Sequence, residues 1–290
     1  MRFILFLSLF LMSFTFSHGQ EKKINVVVIG AHPDDADTST GGTAIKFAKM
    51  GHNVLFVSLT NGDAGHFNKG GGHLAKIRRA EAQEAGKRFG VTYTVLDNHD
   101  GELMPTLDVR LQVIRIIREW DADVVIGPRP YDYHPDHRNT AIILQDAAFM
   151  VIVPNVASDT PALKKNPVFL YTQDRFQKPY PFIPDIAIDI SDVLEKKVYG
   201  MSAHESQYFE WLPWLSGELQ NVPKDEAGKQ KWLLAFRKRP LTDAVRESLI
   251  KWYGKDRAME ITEAEAFEIC EYGKQPTQEE IQELFPMLGK

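Results

Sequence analysis

The segment "INVVVIGAHPDD" (24–35) carries the reading of the fold. Val26, Val27, Val28 and Ile29 form an unbroken β-branched run that stops at Gly30. A strand apolar on both faces is covered on both faces, the situation of an inner strand in a parallel sheet. "NVLFVSL" (53–59) has the same character, and Gly41 to Met50, closed by Gly51, has the pattern of a helix between the two. Downstream, "HLAKIRRAEAQEAGKRFG" (73–90) reads as a helix ending in glycine, "VTYTVL" as a strand, "LDVRLQVIRIIREW" (107–120) as an amphipathic helix and "ADVVIG" (122–127) as a strand. This alternation with short connections predicts right-handed βαβ units. The expected class is α/β: a Rossmann-like, mainly parallel sheet with helices on both faces.

"PVFLYT" and "DIAIDI" add two strand patterns, and "VLEKKVYGMSAH" a helix. Thr262 and Thr277 each precede a glutamate by three residues, the capping-box spacing, which predicts a helix from each. The main domain is therefore expected over 20–210, with 211–290 a helical extension packed on it. Cys270, the only cysteine, is expected to be a buried structural thiol near Phe267.

The chemistry begins where the first strand ends. His32, Asp34 and Asp35 follow it within five residues, and two adjacent carboxylates at the mouth of a buried strand repel each other. The fourth strand is followed by "GPRPYDYHPDHRNT", with Asp132, His134, Asp136 and His137. In parallel α/β sheets ligands sit outside the carboxyl ends of the strands, so the two loops are expected to share one crevice. Three histidines and up to four carboxylates, with no cysteine, suit a divalent cation with N/O ligands: zinc first, with iron, cobalt or nickel as competitors. One His and one Asp from the first loop and one His from the second would leave an open position for water. An aspartate then remains as general base, and a histidine to face an oxyanion or a leaving group. Spacing alone leaves open which aspartate binds and which acts as base. Read singly, either motif would also fit a helix N-cap turn.

Composition narrows the rest. With 43% hydrophobic and 25% charged residues and a formal charge of −5, the chain has no basic run to suit nucleic acid or an anionic membrane. "MRFILFLSLFLMSFTFSHGQ" has a basic start, a short apolar run, and small residues Ser17 and Gly19 before Gln20, the pattern of a signal peptide over 1–19. A secreted or periplasmic protein without a membrane span is expected after cleavage. There is no G-x-S-x-G elbow, G-x-G-x-x-G loop or P-loop, so serine hydrolysis and dinucleotide binding are unsupported.

The two clusters, in this order, resemble the PIG-L/LmbE-like family of zinc-dependent de-N-acetylases acting on N-acetylglucosaminyl compounds. The family's AHPDDE is matched by Ala31-His32-Pro33-Asp34-Asp35, its downstream GGT by Gly41-Gly42-Thr43, and its HPDH by His134-Pro135-Asp136-His137. Weaker echoes are "TNGDAG" (60–65), "RRAE" (78–81), "DGEL" (100–103) and "HESQ" (204–207). The resemblance implies His32, Asp35 and His137 as ligands of Zn2+, with Fe2+ or Co2+ as alternatives, and Asp34 as general base. It implies His134 facing the oxyanion or leaving amine, Asp136 orienting the neighbouring imidazole, and Arg78, Asp100 and His204 contacting substrate. One departure stands out: Ala36 replaces the family's glutamate, with Asp37 one residue later. The implied function is removal of an N-acetyl group from an N-acetylglucosamine-type sugar or glycan. The rival readings are a carbohydrate-binding protein with a degenerate site and a non-haem Fe(II) enzyme. Trp211 and Trp214 lie past the resemblance, either as core or as a sugar-stacking surface.

Overall fold

The computed structural model describes residues 23–237 and 240–289; the segment read as a signal peptide lies outside them. One seven-stranded sheet runs in the order β3-β2-β1-β4-β5-β7-β6. The strands are β1 Asn25–Gly30, β2 Asn53–Thr60, β3 Thr92–Asn98, β4 Val124–Gly127, β5 Val168–Thr172, β6 Ile186–Asp189 and β7 Ala264–Ile269. The first five are parallel, and β7 runs antiparallel to both β5 and β6.

Because side chains alternate along a strand, β1 feeds two cores. Val26 and Val28 pack with Ile45 and Phe47 of α1 (Asp35–Lys49) and with Phe89 of α2 (Gly71–Phe89). Val27 and Ile29 pack with Ile114 and Ile117 of α3 (Leu107–Glu119) and with Ile143 and Leu144 of α4 (Pro135–Met150). The helix after β1 thus covers one face and the helix after β4 the other, although β1 and β4 are neighbours. Adjacent parallel strands whose helices depart to opposite faces leave a crevice at their carboxyl ends. Both strands end in glycines that the closeness demands. A Cβ on Gly30 would fall 2.5 Å from Asp35 Cβ, and one on Gly127 would fall 2.2 Å from Leu144 Cδ1.

Two expectations need correction. The first helix starts at Asp35, not Gly41, so the second aspartate of the motif is already helical. Its Ala36, Thr40, Gly41 and Ala44 are buried, and tertiary packing of these small residues outweighs the poor helix propensity of two glycines. The helix expected from Thr262 is instead strand β7, inserted between β5 and β6. There it supplies backbone partners to both neighbours. Glu265, the acid of the supposed capping box, accepts from the backbone N–H groups of Gly42 and Thr43 and from Lys197 Nζ, at 2.8, 2.7 and 2.7 Å. Cys270 is buried just past β7, so its surroundings are set by a strand.

The remaining helices are α5 Leu194–Met201, a π-helical turn Ser206–Trp211, α6 Leu212–Leu215, α7 Glu226–Arg237, α8 Asp243–Tyr253, α9 Lys255–Glu260 and α10 Gln278–Leu284. At Thr277 the capping box does form and opens α10. Among the described residues no helix is long and apolar enough to cross a membrane.

Candidate active site

The turn after β1 is tight: the backbone N–H groups of Asp34 and Asp35 both donate to the His32 carbonyl, at 2.9 and 3.2 Å. Asp34 occupies the N-cap position of α1 yet makes no side-chain capping bond, and its φ of 153° is unfavourable for a side chain. Its carboxylate is therefore not there to start a helix. After β4, Pro135 takes the first turn of α4, where its missing N–H costs nothing. His134 caps that helix, its Nδ1 accepting from the Asp136 N–H at 3.2 Å. A neutral His134 accordingly carries its proton on Nε2.

Three donor atoms meet in the crevice. His32 Nδ1 lies 3.2 Å from His137 Nε2, His32 Nδ1 lies 3.5 Å from Asp35 Oδ2, and His137 Nε2 lies 3.4 Å from Asp35 Oδ2. Ligand atoms about 2.0–2.1 Å from a tetrahedral ion stand roughly 3.3–3.4 Å apart. The cluster therefore fits a metal. Each imidazole also has a carboxylate at its remaining nitrogen, as metal-binding histidines do. His32 Nε2 is 3.0 Å from Asp100 Oδ1 and 3.4 Å from Asp136 Oδ2. His137 Nδ1 is 3.1 Å from Asp132 Oδ1. Two other groupings are also compact: His32 with His134 and His137, and His32 with Asp100 and Asp136. The first brings in His134, whose Nδ1 is already engaged by the Asp136 N–H, and the second an Asp136 whose two carboxylate oxygens already accept from the Gly101 and Leu103 N–H groups.

The electrostatics point the same way. Burial works against a charged His32, yet Asp100, Asp136 and Asp35 hold its imidazole well above the ordinary value. Burial likewise opposes a charged His137, yet Asp35 and Asp132 pull it up to about 10. Asp35, despite burial, is held well below the ordinary range by His137 and His32. These carboxylates surround a place for two positive charges, which one dication between neutral imidazoles supplies. Asp34 behaves differently: burial raises it, with Arg78 opposing. His134 is lowered by burial and by its two imidazole neighbours.

The site opens on a cleft of about 480 Å3, lined among others by Asp34, Arg78, Asp100, His134 and Gln207. Arg78 is 1% exposed, so it is no surface helix arginine. It donates to Asp34 Oδ1 at 2.9 Å, to the Pro33 carbonyl at 2.8 Å and to Gln207 Oε1 at 2.6 Å. Asp100 borders the cleft and also backs His32. Two expected roles change. Asp136 does not orient the imidazole of His134: its side chain turns away to the Gly101 and Leu103 N–H groups and to His32, and only its backbone serves His134. His204 does not border the cleft. It is fully buried at the end of α5, its Nε2 2.9 Å from Asp37 Oδ1, while Tyr93 Oη donates to Asp37 Oδ2 at 2.8 Å. Asp37, the acid displaced from Ala36, thus belongs to this buried network below the site. Gln207 and Tyr208 of the π-helical turn line the cleft there instead. Asp132, to which the sequence assigns no role within the second cluster, lies five residues before His137, and that spacing is the signal that it reaches the ring.

The family model for GlcNAc-PI de-N-acetylase, PIG-L, matches residues 27–148, which span both loops. A diacetylchitobiose deacetylase from Thermococcus kodakarensis is 32% identical over 207 residues, 66% of this chain and 74% of that protein. A probable N-acetyl-α-D-glucosaminyl L-malate deacetylase from Bacillus cereus is 26% identical over 72% of this chain and 94% of its own length. The solved structure of N,N'-diacetylchitobiose deacetylase from Pyrococcus horikoshii superposes with a TM-score of 0.63 at 25% identity, covering 85% of this chain and 84% of that one. With the paired loops, the ligand triangle and these likenesses together, the chain belongs to the PIG-L family of de-N-acetylases.

Proposed function

We propose that this protein is a metal-dependent hydrolase that removes the N-acetyl group from an N-acetylglucosamine-type amino sugar or glycoconjugate. The observation that carries the reading is the triangle of His32 Nδ1, Asp35 Oδ2 and His137 Nε2 beside a second, separately held carboxylate, Asp34. His32, Asp35 and His137 would hold the ion, zinc first and Fe2+ or Co2+ as alternatives. When bound, such an ion polarises the amide carbonyl and makes a water acidic enough to attack near neutral pH.

The chain's own groups do the rest. Arg78 occupies Asp34 Oδ1, which leaves Oδ2 to take a proton from the attacking water. The water oxygen bonds to the amide carbon, and His134, with its proton on Nε2, donates to the oxygen that gains negative charge. As the C–N bond breaks, the proton that Asp34 took from water passes to the nitrogen, which restores the carboxylate and leaves acetate and a free amine. Asp132 and Asp100 hold the two ligand imidazoles in the tautomers that direct Nε2 of His137 and Nδ1 of His32 at the ion. Residues 1–19 support export, giving a secreted or periplasmic protein that begins at Gln20; N-terminal sequencing of the exported chain checks this.

The test is acetate release from N-acetylglucosamine, N,N'-diacetylchitobiose and related glycosides by metal-loaded protein, followed with and without chelator. Release of one acetate per amine formed, abolished by chelation and restored by zinc, is expected. A chelator-resistant release, or none from any N-acetyl sugar, overturns the reading.

A further inference from the structure

Four aromatic rings stand in a continuous stack whose inner end, Trp211, lines the cleft. Centroid separations are 4.4 Å for His66–Phe67, 5.3 Å for Phe67–Trp214 and 5.4 Å for Trp211–Trp214, with interplanar angles of 24°, 15° and 14°. The stack joins the loop after β2 to α6 and, through Trp211, to the π-helical turn. Glu210 ties the loop and the turn together, 2.8 Å from His66 Nε2 and paired with Lys69. Trp214 is 46% exposed, and Trp211 at the inner end lines the cleft that holds the ligand triangle. An indole held this way offers a rigid apolar surface at little entropic cost.

The cleft also contains a polar cradle next to that ring. A Cβ added to Gly65 would lie 3.1 Å from Asp100 Oδ2, 3.5 Å from Arg78 Nη1 and 3.8 Å from Trp211 Nε1. One acceptor and two donors therefore converge on backbone that carries no side chain. Trp211 Nε1 has no hydrogen-bond partner among the described residues, whereas Trp252 in the core donates its Nε1–H to the Asp185 carbonyl at 2.8 Å. A flat apolar wall with hydroxyl-sized polar groups along its edge is complementary to a pyranose, which has an apolar C–H face and a rim of hydroxyls.

We propose that Trp211 is a substrate-binding residue: its indole packs on the C–H face of the sugar ring and its Nε1–H, with Asp100 and Arg78, reads ring hydroxyls. The Trp214–Phe67–His66 stack holds the indole in place. This rests on the deacetylase reading and deepens it, because it makes the enzyme select a cyclic amino sugar over an acyclic N-acetyl amine. The experiment compares kcat and KM of metal-loaded wild type, Trp211→Ala, Trp211→Phe and Trp214→Ala on N-acetylglucosamine and on N-acetylethanolamine. Trp211→Ala should raise KM for the sugar at least tenfold, with a smaller change in kcat, and bring the kcat/KM ratio of sugar to acyclic amide toward unity. Trp211→Phe, which keeps a ring face, should recover part of the loss, and Trp214→Ala should fall between. An unchanged KM and ratio in Trp211→Ala overturns the proposal. Circular dichroism identifies a misfolded alanine variant, in which case Trp211→Phe decides: a KM and ratio identical to wild type overturn the proposed N–H contact. Should the wild type hydrolyse no N-acetyl sugar, the deacetylase reading fails by itself, and tryptophan fluorescence titrated with N,N'-diacetylchitobiose still decides this one. Saturable quenching that Trp211→Phe weakens upholds it; no quenching in wild type overturns it.

Discussion

Asp34 and Asp35 are adjacent in the chain and opposite in surroundings. One is bound by a buried guanidinium; the other sits between two imidazoles. Asp34→Asn keeps the shape and the ligand triangle but has no proton-accepting oxygen, so it should retain metal while kcat falls by about 10²–10⁴, the usual worth of a general base. Metal analysis beside acetate-release kinetics checks this; near-wild-type turnover would remove Asp34 from the role. Asp132→Ala strips His137 of its orienting partner and should weaken metal affinity about 10–100-fold. Activity that recovers at high zinc is the expected signature, and an unchanged affinity would contradict it. The ligand residues were legible because they lie within two short motifs. Their partners were less so: Asp100 arrives from the loop after β3, and Asp136 turns its side chain away from the histidine two positions before it. Pairings that depend on how separate loops meet are not written in local spacing.

At the scale of elements, the strand–helix alternation was readable because continuous apolar runs and amphipathic helices have different periods. Thr262 misled because a capping-box spacing is a local preference, and β7 gains two strand partners by ignoring it. Glu265 then ties β7 to α1 and α5 through Gly42, Thr43 and Lys197. Glu265→Ala leaves a buried ammonium unpaired and should cost about 3–5 kcal/mol in urea unfolding; a loss below about 1 kcal/mol would show that the tie is dispensable. His204 links the end of α5 to α1 through Asp37. Burial opposes its charged form, but Asp37 raises its pKa above the ordinary value. A group raised in the folded state adds stability below its unfolded pKa of about 6.5 and loses that contribution as pH rises through the folded value. The stability gap between wild type and His204→Gln should therefore be wider at pH 6 than at pH 9 in urea unfolding. A gap that grows with pH contradicts this.

For the whole molecule, the decisive fact is that α1 and α4 leave neighbouring strands toward opposite faces. That divergence brings residues 105 positions apart, His32 and His137, to 3.2 Å across one crevice. A dication shared by the two halves of the sheet should stabilise the fold by mass action, about 2.7 kcal/mol at a hundredfold excess over Kd. Chelation should accordingly lower the Tm and zinc restore it; an unchanged Tm would mean the halves do not share an ion. The sharpest test is an anomalous-difference map from crystals grown with zinc. It should show a peak about 2.0–2.2 Å from each of His32 Nδ1, Asp35 Oδ2 and His137 Nε2. A peak at His32 Nε2 between Asp100 and Asp136, or no peak in the crevice, would contradict the site.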